Sequence, residues 1–292
     1  MYVEIRSVTK TYRGSTVALD GVDLTLGPGV TGLLGANGAG KTTLLRLLAG
    51  VHRPDSGTIV VGGHDLATTG GRSAVTRMLG YLPQELALYP DLTGREFLDY
   101  IALLKGIDDV RTRRRQTDQL LAQAGLDGVA SQRISRYSSG MKRRLGIAQV
   151  LLGDPRLIVL DEPTAGLDPE ERLRFRTLLG SLGTDRIVIL STHILDDVAH
   201  SCPRLAILDE GRLLHHGPTA GLVDLAEGQT HLLESTTAPT GDLTVVNVTT
   251  TASGTCYRVV GTPPPGAHPA TPTLDDGYVA LLRSARHEAI AP

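Results

Sequence analysis

Short apolar runs dominate the first 34 residues of the chain and predict β-strands. They span residues 2–7, 17–26 and 30–34, and turn residues separate them. Leucines then recur at helical spacing over residues 41–48. The N-terminal part is therefore expected to be rich in β-structure and to lead into a short helix.

The middle of the chain alternates helical and strand patterns. Apolar residues at steps of three and four predict helices over residues 93–106, 111–124, 139–152 and 169–180. Short apolar runs predict strands over residues 58–61, 157–160 and 186–190. Because strands that alternate with helices form mostly parallel sheets, the predicted fold class is α/β.

The composition changes towards the C-terminus, where Thr and Pro become frequent. Alternating patches at residues 243–248 and 256–260 predict strands, and a closing helix is expected over about residues 274–287. We therefore expect a large domain over residues 1–227 and a small α+β domain over residues 228–292.

Charge and aromatic content limit the function classes. The chain has 292 residues, a formal net charge of −2, 8 Tyr, 2 Phe and no Trp. Proteins whose main ligand is a nucleic-acid backbone usually carry a basic excess, and single-strand binders carry stacking aromatic side chains. Both classes are disfavoured, so no nucleic-acid partner is expected.

The low cysteine content indicates a reduced, cytoplasmic setting, and the hydropathy bears on whether the chain crosses a membrane. Cys202 and Cys256 are too few for a disulfide framework or a four-ligand zinc site. The longest apolar stretches are far shorter than the ~20 residues that span a bilayer. The first residues lack the apolar core of a signal peptide. We therefore expect a chain that does not cross a membrane by itself.

A glycine-rich loop between the predicted strand 30–34 and helix 41–48 carries the sharpest chemical signal. It reads Gly35-Ala36-Asn37-Gly38-Ala39-Gly40-Lys41-Thr42, the pattern of a phosphate-binding P-loop. Glycines let backbone N–H groups point inward, Lys41 can reach the β- and γ-phosphates, and Thr42 can place its hydroxyl on Mg²⁺. The nucleotide-binding candidates in this loop are Gly35, Asn37, Gly38, Gly40, Lys41, Thr42 and Thr43.

Two carboxylates follow the apolar strand predicted over residues 157–160. Asp161 is placed to hold the hydration shell of Mg²⁺, and Glu162 is placed to polarise an attacking water. A P-loop requires such acidic partners at the end of a neighbouring buried strand. The pair therefore strengthens the prediction of a nucleotide-hydrolysing site.

Further motifs are Tyr12 in Lys-Thr-Tyr-Arg, Gln84 in Tyr-Leu-Pro-Gln, Tyr137-Ser138-Ser139-Gly140-Met141, Asp168 in Ala-Gly-Leu-Asp, and His193 in Ser-Thr-His. With the P-loop and the carboxylate pair, they follow the order found in ATP-binding cassette (ABC) ATPases. From about residue 2 to residue 226 the chain resembles this family, the nucleotide-hydrolysing subunits of ABC transporters. The resemblance implies a P-loop NTPase cassette with a mixed, mostly parallel sheet, a β-rich subdomain and a helical lobe over about residues 88–150.

The resemblance also implies a role for each motif residue. Tyr12 falls where the family stacks an aromatic ring on adenine. Gln84 matches the glutamine that senses Mg²⁺ and the transmembrane partner, and His193 matches the histidine that contacts the γ-phosphate. Asp168 lies in the loop that crosses the dimer interface. The implied catalytic residues are Glu162, His193 and Gln84, and the implied metal-binding residues are Thr42, Gln84 and Asp161.

The signature motif departs from the family's usual Leu-Ser-Gly-Gly-Gln. Tyr137 and Met141 replace Leu and Gln, and in this the chain resembles the drug and antibiotic exporter branch. Ser139 replaces the first glycine, so a Cβ lies where the family's backbone approaches a phosphate, and a positive φ would be disfavoured there. Ser138 and Gly140 are retained, so we expect activity with weaker closure of the dimer.

The resemblance further implies two partners. Family members pair head to tail as homodimers, so that each ATP lies between the P-loop of one subunit and Ser138–Gly140 of the other. A separate six-helix permease would dock in a groove beside Gln84, with the cassette at the inner face of the cell membrane. The apolar residues expected to line or flank this groove, or else to pack internally, are Pro83, Leu86, Leu88, Tyr89 and Leu92.

The expected function is therefore that of an ATPase subunit that powers export of a drug, an antibiotic or a lipid. A soluble ABC-type ATPase acting on ribosomes or DNA is one alternative, although one cassette and the lack of a heptad run weigh against it. An importer ATPase is another, against which the exporter-like signature weighs. Residues 228–292 could stabilise the dimer, regulate it, or be a passive extension.

Overall fold

The computed structural model describes residues 1–14, 16–182, 185–251 and 254–290. The chain divides into two compact units, Met1–Ser201 with Leu208–Leu213, and Cys202–Ile207 with Leu214–Pro292. The domain boundary predicted between residues 227 and 228 falls inside the second unit and stays a prediction.

The first unit holds most of the regular elements. Its strands are β1 (Val3–Tyr12), β2 (Thr16–Leu26), β3 (Gly29–Leu34), β4 (Ser56–Val61), β5 (His64–Asp65), β6 (Leu79–Leu82), β7 (Leu157–Asp161) and β8 (Ile187–Thr192). Its helices are α1 (Lys41–Leu48), α2 (Thr69–Met78), α3 (Gly94–Leu104), α4 (Val110–Gln123), α5 (Ser139–Val150), α6 (Pro169–Ser181) and α7 (Leu195–Ala199). Strands β9 (Arg204–Asp209) and β10 (Arg212–Pro218) run across the limits of the two units.

A parallel sheet forms the core of the first unit and confirms the predicted α/β class. The strands follow the order β3, β8, β7, β6, and β7 pairs in parallel register with β6 and with β8. The apolar run Leu157–Leu160 is buried throughout, as expected for a strand covered on both faces. The carboxyl ends of these strands meet at one edge of the sheet, where α/β proteins bind ligands.

An antiparallel sheet forms the β-rich subdomain, as predicted. Its order is β2, β1, β4, β5. Val3, Ile5 and Val8 of β1 are buried, while neighbouring positions such as Glu4 and Arg6 are not. Alternating burial of this kind is typical of a sheet with one face on a core and one face towards solvent.

The predicted helical lobe consists of α3, α4 and α5. These helices enclose an apolar core that contains Phe97, Leu98, Leu121 and Leu145. The sequence fixes where the helices begin, because side chains cap their free N–H groups. Thr93 forms a capping box at α3, Asp109 caps α4, and Ser138 caps α5.

The second unit combines a sheet with two helices and agrees with the predicted α+β class. Strands β11 (Thr230–Ser235), β12 (Leu243–Thr251), β13 (Gly254–Gly261) and β14 (His268–Pro269) form a sheet in the order β12, β13, β11, β14, and the helices are α8 (Thr219–Asp224) and α9 (Leu274–Ile290). Asp276 of α9 is fully buried and accepts hydrogen bonds from Arg258 and Thr273. Burial alone would raise the pKa of Asp276, but these hydrogen bonds hold it below its usual range.

Within the described ranges, no helix is both long enough and apolar enough to cross a lipid bilayer.

Candidate functional site

The glycine-rich loop folds as the sequence predicts, between β3 and α1. Gly40 caps α1 with φ of 102°, a conformation that favours glycine. A Cβ at Gly40 would lie 2.4 Å from the carbonyl oxygen of Ala18, and one at Gly35 would lie 2.2 Å from that of Leu208. Both contacts are too short for any side chain, so these positions require glycine.

Lys41 begins α1 and is almost fully buried. Its Nζ donates hydrogen bonds to the carbonyl oxygens of Gly35 at 2.6 Å and Ala36 at 3.0 Å. Burial lowers the pKa of Lys41, and the carboxylates of Glu162 and Asp161 act in the opposite direction. The ammonium group is therefore held inside the loop that is predicted to bind phosphates.

Asp161 lies at the carboxyl end of β7, beside the first turn of α1. Its Oδ1 accepts a hydrogen bond from the Thr42 hydroxyl at 3.3 Å. Asp161 and Ser191 are neighbours across strands β7 and β8. Their buried side-chain oxygens, Asp161 Oδ2 and Ser191 Oγ, have no hydrogen-bond partner of good geometry among the described residues. Burial raises the pKa of Asp161, and the nearby hydroxyls of Thr42 and Ser191 oppose the rise. A buried, unpaired carboxylate oxygen next to a hydroxyl is a donor set that suits Mg²⁺, so these residues fit the predicted metal site.

Glu162 and His193 form a pair at the same edge of the sheet. His193 Nδ1 lies 2.9 and 3.0 Å from the two carboxylate oxygens of Glu162. Glu162 is buried, whereas His193 keeps about half of its side-chain surface exposed. Glu162 has φ of 49°, in the left-handed region that residues other than glycine rarely adopt. The carboxylate is thus oriented by its own backbone and by the histidine.

A cleft of about 350 Å³ lies against the loop and brings many predicted residues together. It is lined by Ala18, Asn37, Gly38, Gly40, Lys41, Thr42, Thr43, Gln84 and Glu162. Gln84 and Glu162 come from sequence-distant segments. The carboxylate pair after an apolar strand predicts Glu162 beside the P-loop, whereas Gln84 is expected there only from the resemblance. Ala18 lies in this lining although the sequence offers no signal for it.

Other predicted site residues lie outside this lining. Tyr12 ends β1, is partly exposed and contacts His52 edge to face. Asp168 caps α6 and accepts a hydrogen bond from the backbone N–H of Glu171 at 2.8 Å. Ser138 caps α5 through the backbone N–H of Met141. One subunit therefore gathers the P-loop side of the site and leaves the signature residues apart from it.

The backbone of Ser139 differs from the expectation. Ser139 is the first residue of α5 and is not among the described residues with positive φ. A positive φ, which serine would disfavour, is therefore not required at this position, because the helix gives Ser139 an ordinary conformation. Gly140 faces the Glu171 carboxylate, and a Cβ there would lie 2.5 Å from a carboxylate oxygen.

Arg143 is a site residue that the sequence analysis missed. It lies on α5 and is almost fully buried. Its guanidinium donates to the backbone carbonyls of Pro163 at 2.9 Å, of Asp161 and Gln84 at 3.2 Å each, and of Glu162. No local signal separates Arg143 from Lys142 and Arg144, because consecutive basic residues on a helix usually face solvent.

A second cleft, of about 430 Å³, lies beside Gln84. It is lined by Gln84, Leu86, Leu88, Pro90, Ile134, Ser139, Lys142, Arg143, Ala165 and Gly166. Leu86 and Leu88 therefore line it as expected. Leu88 and Leu92 both pack against the core of the helical lobe, and Tyr89 lies edge to face with Tyr100.

Comparison with protein-family models matches residues 19–165 to the family described as "ABC transporter". The chain is 39% identical over 224 residues to Nod factor export ATP-binding protein I of Paraburkholderia xenovorans (strain LB400). This match covers 76% of this chain and 72% of that protein. It is 40% identical over 211 residues to ATP-binding cassette sub-family A member 7 of Mus musculus, covering 71% of this chain. The match spans only 10% of that much longer mouse protein.

A solved structure gives the same result for the fold. The chain is similar, with a TM-score of 0.68 and 25% identity, to the structure described as "Dimeric Structure of MJ0796, a Bacterial ABC Transporter Cassette". The match covers 74% of this chain and 98% of that one. The P-loop cassette fold expected from the sequence is thereby confirmed.

Proposed function

Because the chain belongs to the ABC transporter family, we propose that it binds and hydrolyses ATP to power export of a small molecule through a separate membrane permease. The observation that carries this proposal is the single cleft lined by both Lys41 and Glu162. The Lys41 ammonium can bind phosphate oxygens, and the Glu162 carboxylate can bind water in the same cleft. Transfer of a phosphoryl group to water requires both groups close together. The products are ADP and inorganic phosphate.

The P-loop side of the site would bind the triphosphate. Backbone N–H groups of Gly38 and Gly40 and the N-terminus of α1 favour negative charge. Lys41 would exchange its two carbonyl partners in the loop for phosphate oxygens. Thr42, Asp161 and Gln84 would hold Mg²⁺, which would offset the negative charge of the phosphates.

Glu162 would act as the general base. Its carboxylate accepts the proton of a water molecule while the water oxygen bonds to the γ-phosphorus and the bond to the ADP oxygen breaks. His193 is within hydrogen-bond distance of both Glu162 oxygens and would fix the orientation of the carboxylate. Gln84, which also lines the cleft, would help to order the water and the leaving phosphate.

The second half of each site would come from a second copy of the chain. The N-terminus of α5 is formed by Ser138, Ser139 and Gly140, of which the two serines are exposed. None of the three lines the P-loop cleft. A helix N-terminus attracts phosphate groups. In a head-to-tail homodimer, Ser138–Gly140 of one subunit would close over the γ-phosphate bound by the other, with Asp168 at the interface and Tyr12 against adenine.

The cleft beside Gln84 would receive the permease. Leu86, Leu88 and Ile134 give it apolar walls, and Lys142 adds a positive charge. The Nod factor export relative supports the exporter assignment, and drugs, antibiotics and lipids are the substrate classes we propose. The chain would then lie in the cytoplasm, against the inner face of the cell membrane. Detergent extraction of the tagged chain should recover a six-span membrane protein, and recovery of ribosomes instead would contradict the exporter assignment.

The direct test is phosphate release from Mg²⁺-ATP by the purified chain, compared with the Glu162→Gln variant. We expect Glu162→Gln to bind ATP with near-normal affinity and to lose turnover by about 100-fold or more, because a general base contributes that much. Glu234→Gln is the matched control, since Glu234 lies exposed on β11 of the second unit. Ordinary turnover by Glu162→Gln would contradict the proposed mechanism.

A further inference from the structure

Four backbone carbonyls converge on one buried guanidinium. Arg143 donates through Nε to Pro163, through Nη2 to Asp161 and Glu162, and through Nη1 to Gln84. Three of these carbonyls belong to consecutive residues, the last residue of β7 and the two that follow it. Carbonyl oxygens that point at one another repel, and buried ones need donors. The close approach of these three therefore depends on the charge and the fork-like geometry of Arg143.

The held segment contains the strained residue. The positive φ of Glu162 costs free energy and persists only where the surroundings fix it. Its backbone N–H donates to Ser191 at 3.1 Å, and its carbonyl accepts from Arg143 and from Ala165. Relaxation of φ would turn the Glu162 side chain away from His193 and from the cleft. Among the described residues, Arg143 is thus the one side chain that donates to this carbonyl, beside the backbone N–H of Ala165.

The fourth carbonyl extends the restraint to Gln84, a second residue that lines the cleft. Gln84 and Glu162 both line the P-loop cleft and follow different strands of the sheet, β6 and β7. Arg143 contacts the backbone of each at the same time. It also lies five residues after Ser138, on the helix whose N-terminus carries the signature residues. A displacement of α5 would therefore be felt at both side chains.

We propose that Arg143 is a positioning residue for hydrolysis, which holds Glu162 and Gln84 at the cleft and ties their placement to the signature helix α5. The inference rests on the proposed function, since it assigns Arg143 a role in the same ATPase site. It predicts a defect in turnover rather than in binding, because the P-loop and Lys41 do not contact Arg143 in the hydrogen bonds that the structure describes.

The test compares Arg143→Gln and Arg143→Lys with the wild-type chain in steady-state hydrolysis of Mg²⁺-ATP. Arg143→Gln should lower kcat by about 10- to 100-fold with KM changed by less than about threefold, because a misplacement near 1 Å at a reacting group costs about that much. Arg143→Lys keeps the charge but not the planar fork, so its kcat should lie between the other two. If Arg143→Gln folds poorly, the kcat of Arg143→Lys alone still tests the proposal.

Arg113→Gln is the matched control. Arg113 is likewise a buried arginine of the helical lobe, and it donates to the carbonyls of Ile107 and Asp108 and to Asp99. Both glutamine variants should lower the melting temperature, but only Arg143→Gln should lower kcat. In single-turnover assays, Arg143→Gln should reduce the residual rate of Glu162→Gln by less than about threefold, since the Glu162 carboxylate is already gone and only the effect through Gln84 remains.

Each outcome separates the two proposals. A wild-type chain that does not hydrolyse ATP would overturn the proposed function and this inference with it. Active wild type together with equal kcat for Arg143→Gln and Arg113→Gln, or a KM rise that accounts for the whole defect, would overturn the inference alone. The same conclusion would follow if Arg143→Gln and Glu162→Gln reduced the single-turnover rate independently.

Discussion

The two halves of the proposed site differ in how far a single chain completes them. On the P-loop side, Lys41, Asp161 and Glu162 are buried, hydrogen-bonded and gathered from α1 and the end of β7. On the signature side, Ser138 and Ser139 are exposed at the start of α5. A group that must attract phosphates and activate water benefits from a fixed position. A group that closes over a neighbour's ligand must remain accessible.

Removing the charge on the P-loop side should have the largest effect. Lys41→Ala should lose ATP hydrolysis by at least about 100-fold and weaken ATP binding by at least about tenfold, because a charge-assisted contact with phosphate is lost. Phosphate release and titration with a fluorescent ATP analogue measure the two effects. The fold should survive, since the lowered pKa of Lys41 indicates that its buried charge is costly without phosphate. Hydrolysis at more than a tenth of the wild-type rate would contradict this role.

An equivalent lesion on the signature side should separate binding from hydrolysis. Ser138→Arg adds bulk at the exposed start of α5 and should lower hydrolysis by about tenfold or more, because it blocks closure over the partner's ATP. ATP binding by the isolated chain should change by less than about twofold, since the P-loop cleft is intact. Loss of the cap should cost about 1 kcal/mol of stability, which thermal melting can follow. A parallel loss of ATP affinity would mean that the two halves are not separate.

A milder change at the next residue should have little effect. Ser139→Gly should change hydrolysis and ATP-dependent dimer formation by less than about threefold, since Ser139 already has a helical backbone and no strain is relieved. Light scattering with and without ATP measures the dimer. A tenfold gain in dimer formation would restore the idea that the serine side chain weakens closure.

The smallest effect concerns how the C-terminal end of α3 is anchored to that of α5 within the helical lobe. Lys105 donates to the carbonyls of Val150 at 3.4 Å and Leu152 at 2.7 Å, at the C-terminal end of that helix. Burial lowers the pKa of Lys105 to about 8, against about 10.4 for an unfolded lysine. From pH 8 to 10 the unfolded chain binds a proton that the folded chain has lost, so stability from this group rises with pH.

The comparison with Lys105→Met isolates that contribution. The free energy of unfolding of the wild-type chain, minus that of Lys105→Met, should increase by up to about 1 kcal/mol per pH unit over this window. Urea melts at pH 7, 8, 9 and 10 provide the values. A difference in the free energy of unfolding that stays constant from pH 7 to 10 would show that the buried lysine does not titrate in this range.

Local patterns in the sequence predict one half of the site better than the other. The P-loop is a contiguous segment whose glycines and lysine carry their own geometric reasons, and the apolar run before Asp161 predicts a buried strand. The location of Gln84 beside that loop depends on sheet order, which no local pattern encodes. The role of Arg143 is harder still to predict from the sequence, because its partners are backbone carbonyls of distant residues.

The elements that the sequence analysis missed have weak local signals for physical reasons. Helix α2 begins with Thr69-Gly70-Gly71, and glycines disfavour helix, so tertiary packing must supply what propensity does not. Strand β6 has only four residues, too few for a periodic pattern. In contrast, the caps Thr93, Asp109 and Ser138 mark helix starts that agree with the predicted ones to within a few residues.

The central claim is that each ATP site needs the P-loop side of one chain and the signature side of another. Mixing Lys41→Ala with Ser138→Arg tests this directly, because a heterodimer then contains one site with both halves intact. Each variant alone should be nearly inactive, and an equimolar mixture should recover as much as about a quarter of wild-type hydrolysis, since about half of the dimers are mixed and each has one good site. A mixture no more active than its components, both of them folded and dimeric, would contradict the account.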